Sequence, residues 1–133
     1  MFITNVSLND IKTGNHPEAD VLIQIVDPDH EFPTPKKPFA EVHRFRFWDA
    51  ENDTQVDEEQ KFSPRMASEL TIILEDAIRR KLDVVVHCHA GLCRSGAVVE
   101  VASMMGMATL HRRRQPNMRM KSLMLQSIGY YDY

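Results

Sequence analysis

The chain has 133 residues, of which 43% are hydrophobic and 26% charged, with a formal net charge of -3. That length supports one domain with a core of its own over residues 1–133, and the charge balance excludes a general binder of nucleic acid. The cysteines are Cys88 and Cys93 alone, which excludes a disulfide framework and suits a reducing compartment. No stretch approaches membrane-spanning length, and the N-terminus lacks a basic region followed by a long apolar one, so a cytoplasmic protein without membrane contact is expected.

Met1 to Val6 reads as an edge strand, and Asn9 to Ala19, with Gly14, Asn15 and Pro17, as a turn or loop. Val21 to Val26 is an apolar run rich in β-branched residues, the pattern of a strand. Four prolines between Pro28 and Pro38 exclude regular structure there. Glu41 to Trp48 alternates around Val42, Phe45 and Phe47 in the manner of a strand. Asp49 to Glu59 then carries six acidic residues and no basic one, the composition of a solvated loop.

Ser63-Pro64 has the form of a helix start, with a capping hydroxyl and proline at the first helical position. Met66, Leu70, Ile73, Leu74, Ala77 and Ile78 follow at helical spacing, and Arg79-Arg80-Lys81 places positive charge on the last turn. Val84-Val85-Val86 lacks polar alternation, which marks a central strand covered on both faces. Another helix is predicted from Ala97 to Met107, with Gly106 marking its end. His111-Arg112-Arg113-Arg114 reads first as a solvated basic turn and second as a contact for an acidic or phosphorylated partner. The methionines from Met104 to Met124 read as core packing.

Between the valine strand and the helix after it lies His87-Cys88-His89-Ala90-Gly91-Leu92-Cys93-Arg94-Ser95. Strand, tight loop and helix N-terminus in that order make an anion site, because loop amides and first-turn amides converge on one point. Cys88 ends the strand, and Arg94 comes six positions later. A loop of that size can set a thiolate beneath a phosphate while a planar guanidinium grips two phosphate oxygens. The helix dipole, the guanidinium and the amides all favour a thiolate over a thiol.

His-Cys-x5-Arg-Ser after a valine-rich strand resembles the signature of the cysteine-based protein tyrosine and dual-specificity phosphatases. The resemblance implies an α/β fold: a small, mainly parallel central sheet flanked by helices, forming a single phosphatase domain over 1–133 with no metal or other cofactor. It implies Cys88 as nucleophile, Arg94 as the phosphate-binding arginine, and the amides of His89, Ala90, Gly91, Leu92, Cys93 and Arg94 as the oxyanion cradle. Ser95 matches the family's hydroxyl after the arginine, which hydrogen-bonds the sulfur and eases its departure, although a helix cap is its competing role. His87 is read as a brace for the loop. Pro116-Asn117 with Met120 and Leu123 resembles the start of the last helix of dual-specificity phosphatases. The interval from Arg94 to Pro116 is shorter than in that family, which implies a missing helix and a compact, more open scaffold.

The chemistry also needs a carboxylic acid from elsewhere in the chain to protonate the leaving oxygen. Asp49, Asp53 and Asp57 are the candidates. Asp49 follows the strand pattern directly, where the resemblance places the acid, and a strand end holds a residue more firmly than mid-loop. Asp53 has the more family-like distance to Cys88; Asp49 is preferred. No Lys or Arg precedes Arg94 in the loop, which favours a phosphorylated protein or peptide substrate, with tyrosine-only against dual specificity left open. Two alternatives stand beside this reading. Cys93 and the Cys-Arg-Ser ending also resemble the low-molecular-weight phosphatases and their arsenate-reducing relatives, and a non-catalytic phosphate-binding module would use the same loop. A metal site from His87, Cys88, His89 and Cys93 is set aside, because adjacent strand residues point to opposite faces.

Overall fold

The computed structural model describes residues 1–51, 55–110 and 112–130. The strands are β1 (Phe2–Ser7), β2 (Val21–Val26), β3 (Glu41–Arg46), β4 (Val84–Cys88) and β5 (Ala108–Thr109). The helices are α1 (Leu8–Thr13), α2 (Pro64–Arg80), α3 (Arg94–Met104) and α4 (Met118–Ser127), with a 3-10 turn at Glu58–Gln60. The strands form one sheet in the order β3-β2-β4-β1-β5, and every pairing is parallel. This is the expected α/β architecture, with helices on both faces of the sheet.

Side-chain alternation divides the core between those faces. Val84 and Val86 point with Ile3, Ile23 and Ile25 into a large cluster completed by Leu70 and Leu74 of α2, Val98 and Val101 of α3, and Met120 and Met124 of α4. Val85 points the other way, to Val6, Leu22 and Ile11 of α1. Helix α2 forms as its sequence dictates: the Ser63 hydroxyl accepts from Met66 N, Pro64 opens the first turn, and Lys81 leaves the last turn at φ 57. No helix among the described residues is long and apolar enough to cross a membrane.

Five expectations need correction. β1 is not an edge strand; it pairs with β4 along its length and with the two-residue β5 on its other side. Leu8–Thr13 is helical where a loop was read, because Ser7 and Asp10 cap each other reciprocally and Gly14 closes the helix in the left-handed region. Helix α3 starts at Arg94, three residues before Ala97, and stops before Gly106. β3 ends at Arg46, so Phe47 is buried beyond the strand, while Val42 lies 41% exposed on the opposite face. Met107, Met120 and Met124 are core residues as expected, but Met104 and Met118 are exposed. Between α3 and α4 the described chain holds only β5, in keeping with the short interval.

Candidate active site

Parallel pairing sends the C-terminal ends of the strands to one edge of the sheet, where open α/β sheets bind ligands. Cys88, Asp27 and Phe47, at or just past the ends of β4, β2 and β3, are thereby brought together although they are far apart in sequence.

Four of the five carbonyls from His89 to Cys93 are tied outward. His89 O accepts from Leu8 N at 3.1 Å, and Gly91 O from Asn5 Nδ2 at 2.7 Å. Leu92 O accepts from Gln115 N at 3.1 Å, and Cys93 O from both Ala97 N and Asn117 N at 2.9 Å. The backbone amides from His89 to Cys93 donate to no acceptor among the described residues. Gly91 makes this path possible: its φ is +74°, and a Cβ there would fall 2.5 Å from the backbone carbon of Val6 and 2.7 Å from Ser7 N. The loop therefore rests on the end of β1, and α3 begins at once with Arg94, adding its positive end.

Ser95, fully buried, sets its Oγ 3.1 Å from Cys88 Sγ. The residue preceding α3 is Cys93, so Ser95 is not the cap of this helix. Arg94 is also buried, and its Nη1 donates to Asp27 Oδ1 at 2.7 Å and to Phe47 O at 2.9 Å. Its Nε is buried without an acceptor among the described residues. One side of the guanidinium is thus anchored through Nη1, while Nε and Nη2 donate to no acceptor among the described residues. His87 is wholly buried, with Nδ1 3.4 Å from Cys88 O and Nε2 unpartnered among the described residues. Burial pulls its pKa from 6.5 to about 4 against the bond to Cys88 O, and the Arg94 charge pulls the same way. A neutral imidazole there fits a brace and not a proton shuttle.

Asp49 lies three residues past the end of β3, exposed, and its Oδ1 accepts from Asn117 Nδ2 at 2.7 Å. Asn117 also donates its Nδ2 to Ala50 O at 3.2 Å and accepts Met120 N at 3.0 Å as the cap of α4. With its own amide on Cys93 O, this one residue joins the loop, α4 and the Asp49 carboxylate. Burial pushes the Cys93 thiol up, and the nearby Asp49 and Cys88 push it further. Both cysteines are free. Asp57 is exposed at the start of the 3-10 turn, and Asp53 lies outside the described residues.

Sequence reasoning missed Asp27 and Asn5, and it placed Asn117 at the start of the last helix, as found, without its links to the loop and to Asp49. The available signal was position: Asp27 follows a buried strand directly, at the end of the sheet where the loop also sits. An all-parallel five-stranded sheet with a Cys-x5-Arg loop between its central strand and a helix defines a compact dual-specificity phosphatase-like fold. The crystal structure of human DUSP28 is similar to it with a TM-score of 0.56, over 98% of this chain and 81% of that one, at 16% identity. A mouse protein described as a dual specificity phosphatase, complexed with zinc tungstate, gives 0.49 over 81% of this chain and 68% of its own, at 18% identity. No protein-family model matches the chain, and neither does any curated protein.

Proposed function

We propose that this chain is a phosphatase that hydrolyses phosphate monoesters of proteins or peptides through a phosphocysteine on Cys88. The observation that carries this reading is the loop itself. Four of its carbonyls are bound from outside, its amides lack acceptors among the described residues and so does the buried Arg94 Nε, and a run of free donors of that kind suits an anion with several oxygens. The Cys88 thiolate attacks phosphorus, and the ester oxygen leaves with a proton from Asp49. Water then attacks phosphorus with Asp49 as base, and the sulfur departs while accepting a hydrogen bond from Ser95. Arg94 and the amides of His89, Ala90, Gly91, Leu92 and Cys93 hold the phosphoryl oxygens throughout. Cys93 gives the redox alternative little support, because its environment favours the thiol over the attacking thiolate.

The test is turnover of para-nitrophenyl phosphate by the purified chain, inhibited by vanadate and indifferent to chelators. Cys88→Ser should keep the fold and lose turnover by about a thousandfold or more. Near wild-type turnover in that variant would sink the covalent mechanism.

A further inference from the structure

The loop lies between two rims of opposite charge, and the strand order puts them there. The basic run leaves β5 at one edge of the sheet, and the acidic stretch leaves β3 at the other, with β4 between them. Arg112, Arg113 and Arg114 line a groove of about 670 Å³ together with Lys121 of α4. Arg112 and Arg113 also line a cleft of about 240 Å³ whose other wall includes Ala90, Gly91 and Leu92 of the loop. The two cavities share a basic wall that runs from the loop to α4. Asn5 fastens it there, donating to Gly91 O at 2.7 Å and to Arg113 O at 2.9 Å.

Only part of that charge is matched internally. Arg112 pairs with Asp10 at 3.4 Å, while Arg114 at 2.8 Å and Lys121 at 3.8 Å share Glu100. Arg113 is exposed and has no carboxylate partner among the described residues. Across Met118, which is 55% exposed and lines both sides, a further cavity carries Glu51 and Glu58. Lys61 and Arg119 answer Glu58, but Asp49, Glu51, Asp57 and Glu59 have no cationic partner among the described residues.

We propose that the groove from Arg112 to Lys121 is a docking subsite for an acidic flank of a phosphorylated peptide, lying on one side of the phosphoresidue; this rests on the phosphatase reading above. A nucleic acid would carry its charge across the loop onto the acidic rim and be repelled there. A peptide that is acidic on one side alone meets the basic rim with its complement and brings no like charge to the acidic rim. Exposed pairs of this type are each worth a factor of about two, so a flank with three acidic residues gains up to about tenfold in kcat/KM at low salt, fading as salt rises.

The experiment uses phosphotyrosine peptides of equal length with three Glu before the phosphoresidue, three Glu after it, three Lys on either side, or Ala throughout. Acid on one side should raise kcat/KM by about tenfold over Ala and acid on the other side should not. Arg113→Glu combined with Lys121→Glu should turn that preference towards Lys. The readout is a ratio between peptides for one enzyme, so a poorly folded variant lowers every rate and leaves the ratio readable. Equal rates on all peptides overturn the subsite and leave the phosphatase reading standing. Equal gains from acid on both sides, or stronger inhibition by a single-stranded RNA oligonucleotide than by unphosphorylated acidic peptide, overturn the peptide assignment. No hydrolysis of an aryl phosphate or of any peptide overturns the phosphatase reading, and the subsite with it.

Discussion

Arg94 is aimed by groups the motif does not contain. Asp27, 67 positions away in sequence, and the Phe47 carbonyl hold Nη1 and so orient the rest of the guanidinium. Asp27→Asn keeps the shape and an acceptor but removes the charge. It is expected to lower kcat/KM for an aryl phosphate by about tenfold, the value of one charge-assisted bond, with little change in melting temperature. Unchanged kinetics would mean that the Phe47 carbonyl suffices. For the acid, Asp49→Asn should cost about a hundredfold on a phosphotyrosine peptide, much less on an activated aryl phosphate, and flatten the basic limb of the pH profile. Asp53→Asn should do none of these. The reverse pattern would hand the role to Asp53. Cys88, Arg94 and Ser95 were legible because nine consecutive residues carry them. Asp27 and Asn117 were not, because their partners are fixed by strand order and not by spacing.

The elements show the same division. α2, β2 and β4 were readable from caps and apolar runs, since what forms them lies within each segment. α1 was hidden because Asp10 stands where a capping box more often has Glu or Gln, and Gly14 was taken for a loop signal when it closes the helix. The loop is the element most exposed to one small change. In Gly91→Ala the new methyl would meet the backbone at the end of β1, and neither partner is a side chain that can turn aside. Differential scanning calorimetry should register a loss of about 2 kcal/mol or more, and activity should fall with it as the amides are displaced. A variant as stable and as active as the parent would mean that the loop does not need this close approach.

For the molecule as a whole, His87 ties stability to pH. Its pKa is about 4 in the folded chain against 6.5 for the free group, so the unfolded state binds more protons between those values. The stability of the neutral, buried imidazole is therefore full above pH 6.5 and declines as pH falls towards 4, by about 3 kcal/mol in all. Urea unfolding at pH 7 and pH 4.5 measures it, with His87→Gln as the variant that should lose this part of the acid slope. An unchanged slope in His87→Gln would assign the acid sensitivity to other groups. The α/β class was legible from the resemblance at the loop, supported by the helix, strand, loop and helix pattern around it. The place of β1 was not, because the polar Thr4 and Asn5 interrupt its apolar residues as in an edge strand, although the fold buries both.

That placement gives the site an order in time. Asn5 is made well before the loop, yet its carboxamide serves Gly91 and Arg113, 86 and 108 positions later. Cys93 O likewise waits for the amide of Asn117. A nascent chain that ends before Gly106 has its cysteine strand and the ties from Leu8 and Asn5, but neither β5 nor α4, and so lacks the bonds from Gln115 and Asn117 to Leu92 O and Cys93 O. The loop is therefore completed only through contacts far apart in sequence, and pairings of that reach close slowly. Until residues 113–117 leave the ribosome, the loop after Cys88 rests on only part of its ties.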